Sequence, residues 1–176
     1  MNNQIFLIGM MGSGKSSIGK VLSKSLDMKF YDTDDVIKKN TGVEINRIFE
    51  LEGEIGFRNR EKKAFLSIID EKNIVVATGG GIILNDENFK ILKKKKFVFF
   101  LKTDLNNLLG RLFKDPSRPL LNVPDVKKQL NNLYECREKK YEEASNYTIE
   151  TSANEKILEV SNRISSIFKK NSNEKN

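Results

Sequence analysis

The residues best suited to chemistry stand near the N-terminus, in the stretch GMMGSGKSS at positions 9–17. This stretch fits G-x-x-x-x-G-K-[ST] between an apolar run and a helical pattern, which is the context that this phosphate-binding motif requires. Gly12 and Gly14 leave room for phosphate oxygens at the backbone, where N–H groups and a helix N-terminus bind anions. Lys15 is expected to contact the β- and γ-phosphates, and the Ser16 hydroxyl to coordinate Mg²⁺. The motif predicts a nucleoside triphosphate as ligand and leaves the reaction open.

Two acidic residues follow the second predicted strand, in the sequence FYDTD. Asp32 and Asp34 stand two residues apart at the end of that strand, so both can reach the phosphate-binding loop. One is expected to hold Mg²⁺ through water while the other orients or deprotonates an alcohol. The alternative for Asp34 is N-capping of the next helix. Asp70 also follows an apolar stretch, but it ends a long helical pattern and is interpreted as a surface acid.

Two arginines lie on helix faces that are predicted to be apolar. At about 100° per residue, a helix over 125–144 places Arg137 in the middle of an apolar stripe. Arg58 lies on the inner face of a helix over 53–70, three residues before Glu61. A charge on an inner face needs a partner or a polar cavity. The two arginines therefore indicate a substrate with a carboxylate or a phosphate, with internal ion pairs or side chains extended toward solvent as the alternative.

A segment without clear periodicity, FKDPSRPLLNVPD at 113–125, holds all three prolines of the chain. It is predicted to be a lid loop that excludes water from the site during phosphoryl transfer. Arg118 within it can neutralise the transferring phosphate, and a structural arginine is the alternative.

The elements that must position these residues alternate between short apolar strands and helical patterns. Contiguous apolar runs are typical of strands buried on both faces, and the alternation predicts an α/β fold with a doubly wound parallel sheet. Ligands of such sheets bind at the carboxyl ends of the strands, where the phosphate-binding loop, DTD and TGGG all fall. Strands are predicted at 5–9, 29–34, 74–81, 97–101 and 147–151, and helices at 16–26, 34–51, 53–70, 86–93, 104–113, 125–144 and 154–169.

Composition limits the class of protein. The 176 residues, with 38% apolar and 31% charged side chains, predict one globular domain over 1–170 and a frayed polar tail over 171–176. A single cysteine, Cys136, and the lack of a secretory signal predict a cytoplasmic protein, and no apolar run reaches the ~20 residues of a membrane helix. The formal charge of +7 is interpreted as a lysine-rich solvated surface rather than a nucleic-acid site, because no basic run is interleaved with aromatic residues.

Taken together, these motifs resemble the shikimate kinases, which are small P-loop kinases of the nucleoside-monophosphate-kinase type. The resemblance covers nearly the whole chain and depends on the order of several motifs. They are IFLIGMMGSGKSSIG, FYDTD, E-x-x-F-R-x-x-E, ATGGG, SRPLL and REKKY. One departure concerns Lys139 and Lys140, which stand before Tyr141 where the family usually has proline and leucine.

The resemblance implies a role for each matching position. The residues implied to bind ATP are Gly12, Ser13, Gly14, Lys15, Ser16, Ser17, Arg111 beside the adenine and Arg118 in the lid. Those implied to bind shikimate are Asp34, Arg58, Gly79, Gly80, Gly81 and Arg137, with the two arginines on the carboxylate and Gly80 approaching the ring through its backbone. Ser16 and Asp32 are implied to hold Mg²⁺, and Lys15, Asp34 and Arg118 to be catalytic.

The implied fold has three layers, α/β/α, around a five-stranded parallel sheet of the P-loop NTPase type, with a substrate-binding insertion at about 33–61 and the lid loop. The implied function is ATP-dependent phosphorylation of the 3-hydroxyl of shikimate, on the way to chorismate and the aromatic amino acids, with Mg²⁺ and ATP. The protein is expected to be a cytoplasmic monomer that binds small molecules, with no membrane or nucleic acid partner. Two alternatives are a related kinase of another hydroxy acid such as gluconate, which should lack the paired DTD and FRxxE motifs, and an NTP-binding regulatory module.

Overall fold

The computed structural model describes residues 3–112, 119–121, 123–152 and 154–172. Five parallel strands form one sheet in the order β2-β3-β1-β4-β5. The strands are β1 (Gln4–Ile8), β2 (Lys29–Asp32), β3 (Ile74–Ala77), β4 (Val98–Thr103) and β5 (Tyr147–Thr151). The α-helices are α1 (Lys15–Ser25), α2 (Thr33–Thr41), α3 (Ile45–Leu66), α4 (Asp86–Lys94), α5 (Leu105–Leu112), α6 (Val126–Ala144) and α7 (Ile157–Ser172).

Helices cover both faces of the sheet, which confirms the predicted three-layer α/β/α fold. Alternate side chains of a strand point to opposite faces. Phe6 and Ile8 of β1 therefore pack in one cluster with residues of α3 to α6, whereas Ile5 and Leu7 pack in the other with α1 and α7. All four side chains are fully buried. The contiguous apolar sequence of β1 follows from this two-sided burial.

The predicted helix over 34–51 is wrong in one respect, because the structure divides it into two helices. Helix α2 ends at Thr41 and is capped by Gly42, whose φ of 67° is left-handed and whose N–H donates to the Lys38 carbonyl. A glycine in this conformation is a common helix terminator. The chain then reverses into α3, and Ile37 of α2 packs against Ile48 and Phe57 of α3 in a separate small core.

The last helix extends further toward the C-terminus than the sequence pattern predicts. Helix α7 ends at Ser172, so the first two positions of the predicted polar tail are helical. Residues 173–176 lie outside the described residues. Within the described ranges, no helix combines the length and apolar content needed to cross a bilayer.

Candidate active site

The phosphate-binding loop connects β1 to α1 and is shaped by three glycines. Gly9, Gly12 and Gly14 have φ values of 139°, 78° and 91°, a region that side chains disfavour. The first turn of α1 carries no acidic residue and no side-chain cap, so its N–H groups face a cavity of about 480 Å³ without a competing carboxylate on that turn. The ammonium group of Lys15 donates to the carbonyls of Gly9 and Met10, both at 2.8 Å. This loop therefore has the features of an anion site at a helix N-terminus.

The two carboxylate oxygens of Asp32 accept hydrogen bonds from different parts of the site. Oδ2 accepts a hydrogen bond from the Ser16 hydroxyl at 2.5 Å, and Oδ1 accepts from the backbone N–H of Asp34 at 3.0 Å. Asp32 is thus the N-cap of α2. The capping role that the sequence offered to Asp34 belongs to Asp32, and the Asp34 carboxylate lines the cavity instead.

A second cavity of about 370 Å³ adjoins the first on the side of α2 and α3. Its walls come from the phosphate-binding loop and α1, from α2, from both halves of α3, from the triple glycine after β3, from Leu120 in the predicted lid segment, and from α6. Six residues line both cavities, namely Met11, Ser16, Asp32, Asp34, Gly79 and Gly80. A group bound at the phosphate loop and a group bound in the second cavity would therefore meet beside Asp34.

The two inward arginines predicted from the sequence both line this second cavity. Arg58 donates from Nη1 to Glu61 at 2.7 Å and from Nη2 to Glu54 at 2.9 Å. The internal ion pair that the sequence left open as an alternative is present between Arg58 and Glu61, and Arg58 also lines the cavity. Arg137 is only 2% exposed, and its Nη1 lies 3.4 Å from the Gly80 carbonyl oxygen.

Glu61 interacts electrostatically with both arginines: it forms an ion pair with Arg58 on its own helix, and the charge of Arg137 on α6 also acts on it. Glu61 is fully buried, and burial raises the pKa of its carboxyl. The positive charges of Arg58 and Arg137 oppose that rise in pKa, whereas the nearby carboxylate of Asp34 adds to it. Arg58 and Arg137 thus stand beside one buried acid, and a substrate carboxylate would be a further partner for their charges.

Tyr141 supports this arrangement from the core. Its hydroxyl donates to the Gly80 carbonyl, the same oxygen that Arg137 approaches, and its ring stacks on Phe100 with centroids 5.0 Å apart. Burial raises the pKa of the Tyr141 hydroxyl to about 12, so it remains a donor at neutral pH. The sequence pattern gave no sign of this contact.

Two of the three glycines, Gly79 and Gly81, make room for neighbouring side chains of the protein itself. A Cβ on Gly79 would lie 2.2 Å from Glu61 Oε1, and one on Gly81 would lie 2.2 Å from the Arg58 guanidinium. At Gly80 the nearest atom, Met11 N, would be 3.2 Å away. The resemblance implies only that the Gly80 backbone approaches the substrate ring, and it gives no sign of these two internal contacts. Thr33, which carried no signal in the sequence, fixes the segment by accepting the Gly79 N–H at 2.7 Å.

Replacing Gly81 with alanine is expected to weaken binding of an acidic ligand without straining the backbone. The φ of Gly81, −103°, suits alanine, but the new methyl group would displace the Arg58 guanidinium from its position. Losing one charge-assisted contact predicts a loss in affinity of roughly 10- to 100-fold. Titration calorimetry of Gly81→Ala and of a control variant with the acidic ligand measures the loss in affinity. Gly110→Ala is the control, because a Cβ there meets no atom within 4 Å; an equal loss in both variants would contradict this explanation.

The nucleotide side contains residues for which the sequence gave no independent evidence. Arg111 of α5 donates to the Gly12 carbonyl at 3.1 Å and lines the larger cavity, which is consistent with the position implied for it. The opposite wall consists of Thr151, Ser152, Glu155, Ile157 and Val160, in and after β5. Arg118 lies outside the described residues, so its role stays a prediction.

Comparisons with known proteins agree with the motifs. The shikimate kinase family model matches residues 11–170. A shikimate kinase of Francisella tularensis subsp. novicida is 45% identical over 165 residues, or 93% of each chain, and one of Legionella pneumophila (strain Corby) is 44% identical over 147 residues, or 84% of each chain. A solved shikimate kinase from Acinetobacter baumannii, in complex with shikimate, superposes with a TM-score of 0.89 at 37% identity, covering 98% of this chain and 94% of that one. A gluconokinase from Sinorhizobium meliloti shares the fold, with a TM-score of 0.61 at 14% identity, covering 98% of this chain and 95% of that one.

Proposed function

The chain belongs to the shikimate kinase family, and from this premise we propose that it transfers the γ-phosphoryl group of ATP to the 3-hydroxyl of shikimate. The product, shikimate 3-phosphate, lies on the way to chorismate and the aromatic amino acids. The observation that supports this proposal most directly is the junction of the two cavities at Asp34. One cavity has the backbone of a triphosphate site, and the other has two arginines for a carboxylate.

On the nucleotide side, residues 12–17 are proposed to bind the phosphates through backbone N–H groups, and Ser13 and Ser17 line that cavity. Lys15 now contacts two loop carbonyls and would turn to the β- and γ-phosphates when ATP is bound. Arg111 is proposed to flank the adenine. The Arg118 side chain is proposed to neutralise charge on the transferring phosphoryl group, which predicts a larger effect on kcat than on KM.

The oxygen atoms of Ser16 and Asp32 suit Mg²⁺, because this ion binds hard oxygen ligands. It usually takes one or two ligands from the protein and the others from water and phosphate oxygens. Both residues line the two cavities where they join, which is where a metal ion between the phosphates and the acceptor must lie. We therefore propose that these two side chains hold the ion. When bound, it would supply positive charge to the β- and γ-phosphates.

On the acid side, Arg58 and Arg137 are proposed to bind the carboxylate from two different helices, and the Gly79–Gly81 backbone to approach the ring. This orientation would bring a ring hydroxyl to Asp34, which either accepts its proton or aligns it with the γ-phosphate. The loose transition state of phosphoryl transfer needs little help from a base, so alignment is the larger share of the proposed role. The protein is proposed to act in the cytoplasm as a monomer, without a nucleic acid or membrane partner.

The substrate assignment is tested by ADP release from Mg-ATP with a panel of acceptors. We expect turnover with shikimate and none with gluconate, AMP or RNA. The two arginines in the cavity that adjoins the phosphate site suit a carboxylate, which AMP and RNA lack. The paired DTD and FRxxE motifs, which a gluconate kinase should lack, favour shikimate over gluconate. A reaction with Mg-ATP and no acceptor measures background ATP hydrolysis. Equal turnover with gluconate would support the related hydroxy-acid kinase instead, and ATP binding without transfer to any acceptor would support a regulatory module.

A further inference from the structure

Helix α3 contains a break that regular helix geometry does not allow. Gly53 has φ 66° and ψ −172°, while the residues before and after it are helical. This combination of angles is essentially restricted to glycine. A Cβ on Gly53 would meet no heavy atom within 4 Å, so its conformation, and not a lack of space, requires glycine here.

An ion pair spans this break. The guanidinium of Arg60 donates to both carboxylate oxygens of Glu52, from Nε at 2.8 Å and 3.1 Å and from Nη2 at 2.5 Å. The two residues are eight positions apart, whereas side chains on a regular helix are neighbours at three or four. In an unbroken helix their Cα atoms would be about 12 Å apart along the axis. The bidentate contact therefore depends on the bend.

A second glycine leaves a path for this ion pair. A Cβ on Gly56 would lie 2.3 Å from Glu52 Cβ and 2.9 Å from Glu52 Oε2. The Glu52 side chain thus lies over Gly56 on its way to Arg60. We call this set of two glycines and one ion pair the α3 clip. Its members are Glu52, Gly53, Gly56 and Arg60.

The clip joins the two halves of one wall of the smaller cavity. Phe49 lies before the break and Phe57 after it, and their rings contact each other with centroids 4.5 Å apart. Ile45 and Asn46 also line the cavity from the first half, and Arg58 and Glu61 line it from the second. Glu52 and Arg60 are not part of the lining.

We propose that the α3 clip fixes the angle between the halves of α3, and thereby positions the Phe49 ring relative to the Arg58 guanidinium across the acid-binding cavity. Glu52 and Arg60 are positioning residues for the acid. This inference rests on the proposed function, because it assigns the cavity to the acid substrate. The inference goes beyond that function by assigning to two residues outside the cavity an effect on the binding of the acid substrate.

The test compares steady-state kinetics of Glu52→Gln, Arg60→Gln and the exchanged pair Glu52→Arg with Arg60→Glu. A solvent-exposed pair contributes up to about 1 kcal/mol. Each single variant is therefore expected to raise KM for shikimate about two- to fivefold, with kcat and KM for ATP close to wild type. The exchanged pair should restore KM, and Gly56→Ala should resemble Glu52→Gln and add nothing to it, since both act through one contact.

Arg47→Gln is the matched control, because the Arg47–Glu50 pair at 2.9 Å lies on the same helix but does not span the break. The clip is overturned if Arg60→Gln and Arg47→Gln have the same KM for shikimate, or if the exchanged pair stays impaired. Hydrogen exchange of the amides at 49–57 gives a readout that needs no turnover. Faster exchange in Arg60→Gln than in Arg47→Gln supports the clip, and equal exchange overturns it. If wild type fails to phosphorylate shikimate, the proposed function fails and the exchange measurement alone decides the clip.

Discussion

Replacement of Asp34 with asparagine is expected to lower kcat by ~10²–10⁴-fold, the range typical of a lost base or alignment group, with the fold and ATP binding retained. The Asp34 carboxylate lines both cavities, so it stands where the acceptor hydroxyl must meet the γ-phosphate. Asparagine keeps the shape but neither accepts a proton nor carries the charge that orients the hydroxyl. The fold should persist because Asp32, and not Asp34, caps α2.

Single-turnover phosphorylation separates this effect from a change in binding. Asp70→Asn is the control: it removes the charge of an exposed acid that lines neither cavity. Its expected effect on kcat is small, since exposed charges of this kind contribute little. If Asp34→Asn retained activity within about twofold of wild type, or about 0.4 kcal/mol in barrier height, Asp34 would have no part in the mechanism.

Replacement of Arg137 with methionine is expected to weaken shikimate binding by about 2–4 kcal/mol, or roughly 30- to 1000-fold, with ATP binding unchanged. Arg137 is buried, and the contact described for it is a long one of 3.4 Å to the Gly80 carbonyl, so a carboxylate would be its stronger partner. Methionine preserves much of the apolar stem while removing the charge.

Arg58→Met should behave differently because Arg58 already pairs with Glu54 and Glu61. It should weaken shikimate binding and also lower the melting temperature, since Glu61 would remain buried with less compensation for its charge. The double variant should lose less than the sum of the two, because both arginines act on one group.

Calorimetry with shikimate and with an analogue whose carboxylate is reduced to an alcohol distinguishes substrate contact from structural support. The analogue should bind weakly to wild type and be nearly indifferent to the loss of Arg137. Lys139→Met removes the same charge from an exposed position of α6 and should change neither affinity. A large fall in melting temperature for Arg137→Met, with shikimate and the analogue bound equally well, would remove Arg137 from the substrate site.

Much of the site is predictable from local sequence because its parts lie at the ends of strands. The loop before α1, Asp32 and Asp34 after β2, and the glycines after β3 each follow an apolar run, and parallel strands carry such ends to one edge. The arginines are predictable for a second reason, since helical periodicity shows a charge on an apolar stripe.

What escaped prediction depends on side chains that approach from distant positions in the chain. Glu61 of α3 acts on Arg137 of α6, a relation that no spacing along either helix encodes. The Gly42 boundary was missed because the apolar pattern continues on both sides of it, although an isolated glycine after the basic end of a helix was an available signal.

The sequence by itself determined the parallel three-layer fold, the triphosphate loop and four of the charged residues that face the site, namely Asp32, Asp34, Arg58 and Arg137. These are local properties, since backbone conformation, helix periodicity and strand burial are written in consecutive residues. The tertiary structure alone decided that Asp32 caps α2 and leaves Asp34 to the cavity, that Gly79 and Gly81 make room for Glu61 and Arg58, and that Glu52 crosses Gly56 to Arg60. Each of these depends on where a side chain ends, and that point is set by the packing of elements that only the folded chain brings together.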